Sequence, residues 1–195
     1  MNIKLTIAYD GTSYSGWQRI PGKNTIQGTM EKKLSLILNE NIKITGAGRT
    51  DAGVHALGQV ANFITEKEVN LPKLKKSLNS VLPKDIVIKN IKKVPLSFSS
   101  RHFAKLKTYR YVILNSKVPD VFNRNYSLFY FKKLNLIAMK KSLKYLKGTH
   151  DFRAFCVQEE RSNFKRTIKD IKIKRKGKYI IIDFKGRSFL RKMVR

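Results

Sequence analysis

Along the first hundred residues the apolar positions switch between the two-residue period of a strand and the longer period of a helix. Ile3, Leu5, Ile7 and Tyr9 alternate with more polar neighbours, which predicts a half-buried strand, and Asp10-Gly11-Thr12 follows as a turn signal. Ile26, Met30, Leu34, Ile37 and Leu38 then fall on one helical face. Asn24 is the predicted N-cap of that helix, with Gln27 three residues on as in a capping box. Short strands are predicted over residues 41–44 and 54–63. Asn70 precedes a second helix with Leu71, Leu74, Leu78, Val81 and Leu82 on one face, ended by Pro83, and residues 86–94 read as a strand. The order is β-α-β-β-α-β, the split pattern of a ferredoxin-like unit.

The second half repeats this order loosely. Residues 98–114 are strand-rich and include Tyr109, Tyr111 and Ile113. A basic-aromatic loop over 121–131 leads to a helix built on Leu136, Met139, Leu143 and Leu146, closed by Gly148. After a polar, basic loop over 157–166, strands at 168–173 and 179–184 form a hairpin through Lys176-Gly177-Lys178, and Ser188 opens a further helix. The predicted class is α+β: two ferredoxin-like units, residues 1–100 and 101–195, with antiparallel sheets and helices on one face. The second unit lacks a final strand, so the pattern predicts a truncated chain.

Charge changes the picture more than length does. With 195 residues and 42% hydrophobic side chains the chain can build one large core or two small ones. Its formal net charge is +29, which attracts a polyanion, and nucleic acid is the natural one. The excess is uneven: 15 Lys+Arg face 7 Asp+Glu in residues 1–100, and 27 face 6 in residues 101–195. No apolar run of about 18 residues and no charged, apolar leader occurs, so neither a membrane span nor a signal peptide is expected. The single cysteine, Cys156, leaves no intramolecular disulfide and fits a reducing cytoplasm. His55, His102 and His150 are too scattered for a zinc motif, and all three read as structural.

The candidate chemistry lies in residues 45–63, TGAGRTDAGVHALGQVANF. Gly46, Gly48, Gly53 and Gly58 surround one base, Arg49, and one acid, Asp51. A dinucleotide fingerprint fits poorly: Asp51 occupies a glycine position, Gly53 comes late, and a strand rather than a helix follows. A phosphate loop fails because no Gly-Lys-Ser/Thr follows. A hairpin whose Asp51 bonds its own turn remains open. Trp17, beside Gln18 and Arg19, is either a platform for a stacked base or core at the root of a loop.

GRTDAGVHALGQ and AYDGTSYSGWQ closely resemble the TruA family of tRNA pseudouridine synthases. Further matches are RHFAKLKTYRY (101–111), GTHDFRAFC (148–156) and FLRKMVR (189–195), so the resemblance runs the length of the chain. It implies isomerisation of uridine to pseudouridine in the anticodon stem-loop of tRNA, at nucleotides 38, 39 and 40, without metal or cofactor. It makes Asp51 the catalytic carboxylate, Tyr109 the second active-site residue, and Arg195 the arginine that pairs with the aspartate. It also implies a basic RNA-binding cleft, a cytoplasmic homodimer with RNA spanning both subunits, and a chain that continues past MVR. Arg49 would hold the RNA backbone or fill the space of the flipped base, and Arg19, Arg101 and Arg110 are candidate phosphate contacts. The competing expectation is a non-catalytic RNA-binding module, such as a tRNA-folding chaperone.

Overall fold

In chain order the computed structural model contains β1 (Asn2–Tyr9), α1 (Ile26–Leu38), β2 (Thr45–Gly46), β3 (Ala56–Ile64), α2 (Leu71–Val81), β4 (Ile86–Val94), α3 (Ser100–Phe103), β5 (Lys107–Asn115), β6 (Leu128–Tyr130), α4 (Leu136–Leu143), β7 (Gly148–Asp151), β8 (Lys165–Lys176) and β9 (Tyr179–Gly186). It describes residues 1–157 and 163–195; the loop predicted over 157–166 lies partly outside the described residues. The chain divides into two units, Met1–Ala104 and Lys105–Arg195.

In the first unit the strands lie in the order β2-β3-β1-β4, every neighbour antiparallel. This is the α+β, ferredoxin-like order that the hydrophobic pattern predicts. One face of β1 presents Ile3, Leu5, Ile7 and Tyr9, all buried. They pack with Ile26, Met30, Leu34 and Leu38 of α1 and with Leu74 and Leu78 of α2. Burying each large aliphatic side chain contributes roughly 1.5–3 kcal/mol, so this continuous layer holds the helices to the sheet. On the other face, Asn62 Nδ2 donates to Asn2 Oδ1 at 3.0 Å, and Asn62 Oδ1 accepts from Ser100 N at 2.8 Å, which ties the start of α3 to the sheet.

Two local predictions are corrected here. Thr25, not Asn24, caps α1: its side chain accepts from Gly28 N, while Asn24 turns to donate to Ser13 O at 3.1 Å. Asn70 does cap α2, accepting from Lys73 N at 3.0 Å. Residues 41–44 form no strand; pairing to β3 begins only at Thr45. The reason is that helix α1 satisfies this backbone instead. Ile42 N donates to Ser35 Oγ and Ile44 N to Glu31 Oε1, each at 2.9 Å. Ile42 and Ile44 are still buried, so the apolar signal is real and only the hydrogen-bond partner differs.

The second unit's sheet runs β6-β5-β9-β8-β7. Strands β8 and β9 form the predicted hairpin with a two-residue connection, Gly177-Lys178, and Gly177 takes φ +56, as such turns require. β9 pairs antiparallel with β5, so the β5-β9-β8 core keeps the ferredoxin-like order. Ile113, Ile180 and Ile182 form its core with Leu136, Met139 and Leu143 of α4 packed against them. The sequence reading missed β6, which pairs parallel to β5 through only three residues, and β7, which pairs with β8. Both are short, with no alternation to mark them. The helix predicted from Ser188 is absent. Residues 191–194 make successive turns, with Lys192 at φ +59, a left-handed residue that interrupts any helical run.

Glu31 is the polar hinge of the first unit. It is buried, accepts from Ile44 N at 2.9 Å and from Gln27 Nε2 at 3.0 Å, and its Oε2 lies 3.1 Å from Arg19 Nη1. Glu31→Ala leaves a buried amide unsatisfied, and the expected loss is about 2 kcal/mol. Urea unfolding followed by Trp17 fluorescence measures it; an unchanged midpoint contradicts this role.

Candidate active site

Asp51 lies in the loop that joins β2 to β3. Residues 47–55 form no strand, and a turn falls at 52–53. Asp51 is half-buried and Arg49 is exposed. The loop is pinned at both sides of Asp51 by the 10–17 segment. Trp17 N donates to Thr50 O at 3.0 Å and Gly53 N to Tyr14 O at 3.3 Å, while within the loop Val54 N donates to Asp51 O at 3.2 Å. Tyr9 Oη and Thr50 Oγ1 share a hydrogen bond of 2.8 Å. On the β3 side, Ala47 N donates to Val60 O at 2.8 Å and Gln59 Nε2 to Gly48 O at 2.6 Å.

The two segments meet backbone against backbone, which explains the glycines at positions 11 and 16. A Cβ on Gly11 would lie 2.1 Å from Val54 O. A Cβ on Gly16, which takes φ +98, would lie 2.6 Å from Thr50 O and 3.1 Å from the Asp51 carbonyl carbon. Only glycine allows this approach. The motifs AYDGTSYSGWQ and GRTDAGVHALGQ are therefore one physical object, two loops that exclude side chains where they touch.

Around them the polar groups are well partnered. Tyr14 is buried and donates to Asp85 Oδ1 at 2.7 Å; burial and this hydrogen bond hold its hydroxyl protonated far above the ordinary tyrosine range. His55 Nδ1 lies 3.1 Å from Gly11 N and 3.0 Å from Asp10 Oδ1, so it serves one or the other according to its proton. Asp10 Oδ1 also accepts from Thr12 N at 2.9 Å. The Asp51 carboxylate differs from all of these: among the described residues of the first unit it forms no hydrogen bond or ion pair. Its surroundings fix its backbone and leave its oxygens to an incoming group.

Trp17 is only 2% exposed, with its ring against Gly46 and tilted to Tyr9 at 6.0 Å between centroids. It is core, and the base-stacking alternative for it falls away. Arg19 is exposed and sits beside Glu31. Arg101 is exposed on α3, within the first unit.

The remaining candidates belong to the second unit. Tyr109, half-buried on β5, packs edge-on against Phe189 at 4.8 Å between centroids. Arg110 on the same strand grips Asp183 of β9 in a two-point contact, Nε to Oδ1 at 2.7 Å and Nη2 to Oδ2 at 2.8 Å. Arg110 is thus already engaged by an acid across the strand. Arg195 is exposed, and its backbone N donates to Lys192 O at 3.0 Å. Sequence reasoning missed the anchoring roles of Tyr9, Gly11 and Gly16. The signal was present in AYDGTSYSGWQ, but nothing local said which loop it would touch.

Gly16→Ala combines left-handed strain with a backbone collision, whereas Gly22→Ala at φ +69 meets nothing within 4 Å. The first is expected to cost more than about 2 kcal/mol and the second about 1 kcal/mol. Equal losses of thermal stability would contradict the close-approach account. A second expectation concerns pH. The Arg110 hydrogen bond lowers the Asp183 carboxyl below its ordinary value of 3.8. The pair therefore stabilises the fold above that value and loses its contribution as pH falls through and below it. Hydrogen exchange of the β5 and β9 amides should show a steeper acid loss in the natural protein than in Asp183→Asn; parallel pH profiles contradict this.

The sequence profile of a family described as tRNA pseudouridine synthase matches residues 5–103 and 143–195, and Tyr109 lies between the matched stretches. A tRNA pseudouridine synthase A of Caldicellulosiruptor saccharolyticus is 45% identical over 195 residues, covering all of this chain and 80% of that protein. A tRNA pseudouridine synthase A 2 of Clostridium perfringens is 46% identical over 197 residues, with the same coverages. A tRNA pseudouridine synthase A of Acetivibrio thermocellus is 42% identical over 197 residues, again spanning all of this chain and 80% of the relative. With its glycine-packed GRTD loop and a likeness that covers both units, this chain belongs to the tRNA pseudouridine synthase family, isomerases that act on tRNA.

Proposed function

We propose that this chain converts uridine to pseudouridine in the anticodon stem-loop of tRNA, at nucleotides 38, 39 and 40, with Asp51 as the catalytic nucleophile. The observation that carries the reading is the state of that residue: its backbone is pinned from both sides while its carboxylate is left unbonded among the described residues of the first unit. A carboxylate spent on structure would be paired, as Glu31 and Asp183 are.

The reaction breaks the bond from ribose C1′ to uracil N1, turns the base and rejoins it through C5. The C5 proton leaves to solvent and N1 gains one, so the product is an isomer. Asp51 either adds to the nucleoside covalently or takes a sugar proton. The target base lies inside a stacked stem-loop and must first be extruded. Arg49, exposed two residues before Asp51, is assigned to the RNA backbone or to the vacated space in the stack. Tyr109 and Arg195 are assigned to the same reaction, the tyrosine against the extruded ring and the arginine as partner of the carboxylate. Arg19 and Arg101 are assigned to phosphates. Arg110 is the weakest of these assignments, because Asp183 already occupies two of its donors. The enzyme is proposed to act in the cytoplasm as a homodimer.

Asp51→Asn keeps the shape and removes the charge. Tritium release from tRNA labelled at uridine C5 should fall by a factor of about 10³ or more, as for loss of a nucleophile, while tRNA affinity holds or rises. Comparable turnover in the variant overturns the assignment. No release by the natural protein, with tight tRNA binding retained, supports a binding module instead.

A further inference from the structure

We infer that Tyr9 is a positioning residue for the reaction, acting on Asp51 through Thr50; this rests on the reading of Asp51 given above. Tyr9 stands at the end of β1, opposite Ala56 of β3 and Ile86 of β4. Its ring is 4% exposed and packs beside Trp17, so its hydroxyl emerges at a fixed point from the core. That hydroxyl meets Thr50 Oγ1 at 2.8 Å. Thr50 is also held through its carbonyl by Trp17 N at 3.0 Å. Thus the residue before Asp51 is fixed at two points, both of which lead back to the buried core of the first unit.

The consequence follows from what Asp51 lacks. Its oxygens have no hydrogen-bond partner among the described residues of the first unit to aim them, so within that unit their direction is set by the backbone that carries them. Two anchors on Thr50 define that backbone better than one. Removing the Tyr9 hydroxyl leaves the Trp17 contact intact but lets the Thr50 side chain turn, and the carboxylate then samples a wider set of positions. Displacement of a reacting group on the order of 1 Å can cost about a hundredfold in rate without weakening substrate binding. Tyr9 itself is buried beneath the loop and touches no RNA, so its effect should fall on turnover alone.

Tyr9→Phe keeps the ring and deletes only the hydroxyl. In the full chain, kcat for tritium release from C5-labelled tRNA should drop roughly tenfold, with KM changed less than about twofold. Thr50→Val should reproduce the loss, and Thr50→Ser, which keeps the hydroxyl, should restore most of the activity. The double variant Tyr9→Phe/Thr50→Val should be no worse than either single one, because both remove the same bond. Circular dichroism at the assay temperature must show each variant as folded as the natural protein. Natural kcat in Tyr9→Phe, a loss carried by KM, or additive losses in the double variant would overturn the inference while Asp51→Asn stays inactive. An active Asp51→Asn would instead overturn the underlying reading, and this inference with it.

Discussion

The place of Asp51 depends on two loops of the first unit lying backbone against backbone. Gly11 against Val54 and Gly16 against Thr50 leave no room for a Cβ, and the contact is closed by the Trp17–Thr50 and Gly53–Tyr14 hydrogen bonds. A loop on a protein surface is ordinarily mobile. This one is fastened to a segment that is itself rooted by buried Tyr14 and Trp17, so the rigidity of the core extends to the carboxylate. The fold's helices contribute at one remove. Glu31 on α1 captures Ile44 N and so fixes the entry into β2, immediately before the loop. A preorganised carboxylate suits the role proposed for Asp51, since geometry fixed in advance need not be acquired during a reaction.

The second unit follows a different rule. Its acids are few and each described one with a lowered carboxyl is occupied: Asp183 by Arg110, and Asp120 by the Tyr179 hydroxyl, Asn123 and Lys178. Residues 101–195 carry 27 Lys+Arg against 6 Asp+Glu, an excess that suits attraction of a phosphate backbone. Phosphate contacts orient an RNA without reading its sequence, so on the proposed function recognition by charge and chemistry by a placed carboxylate are separable tasks.

The core was the most legible part of the sequence. Alternation in 3–9 and most of the helical faces of α1 and α2 correspond to buried residues, because burial and periodicity have the same cause; Val81, placed on the α2 face, is exposed. The order β-α-β-β-α-β follows from those periods alone. What could not be read were features that depend on a distant partner. Residues 41–44 are as apolar as a strand, but their amides go to Ser35 and Glu31, which no local pattern announces. Strands β6 and β7 are too short to show a period and are held by pairing with β5 and β8. Lys192 in a left-handed conformation replaces the helix that its sequence would favour. In the site, glycine spacing pointed to Asp51, and the resemblance named it. Which loop the glycines of the 10–17 segment would touch became visible only in three dimensions, and with it the part played by Tyr9 and Thr50.

The central claim is that Asp51 is the group that meets the extruded nucleoside. A crystal structure of the full chain with an anticodon stem-loop RNA tests it most directly. The account predicts a uridine turned out of the stem with its C1′ within about 3.5 Å of an Asp51 carboxylate oxygen, near the distance of reacting atoms. A uridine still stacked in the RNA, or an extruded one whose C1′ faces another side chain with Asp51 turned away, would contradict it.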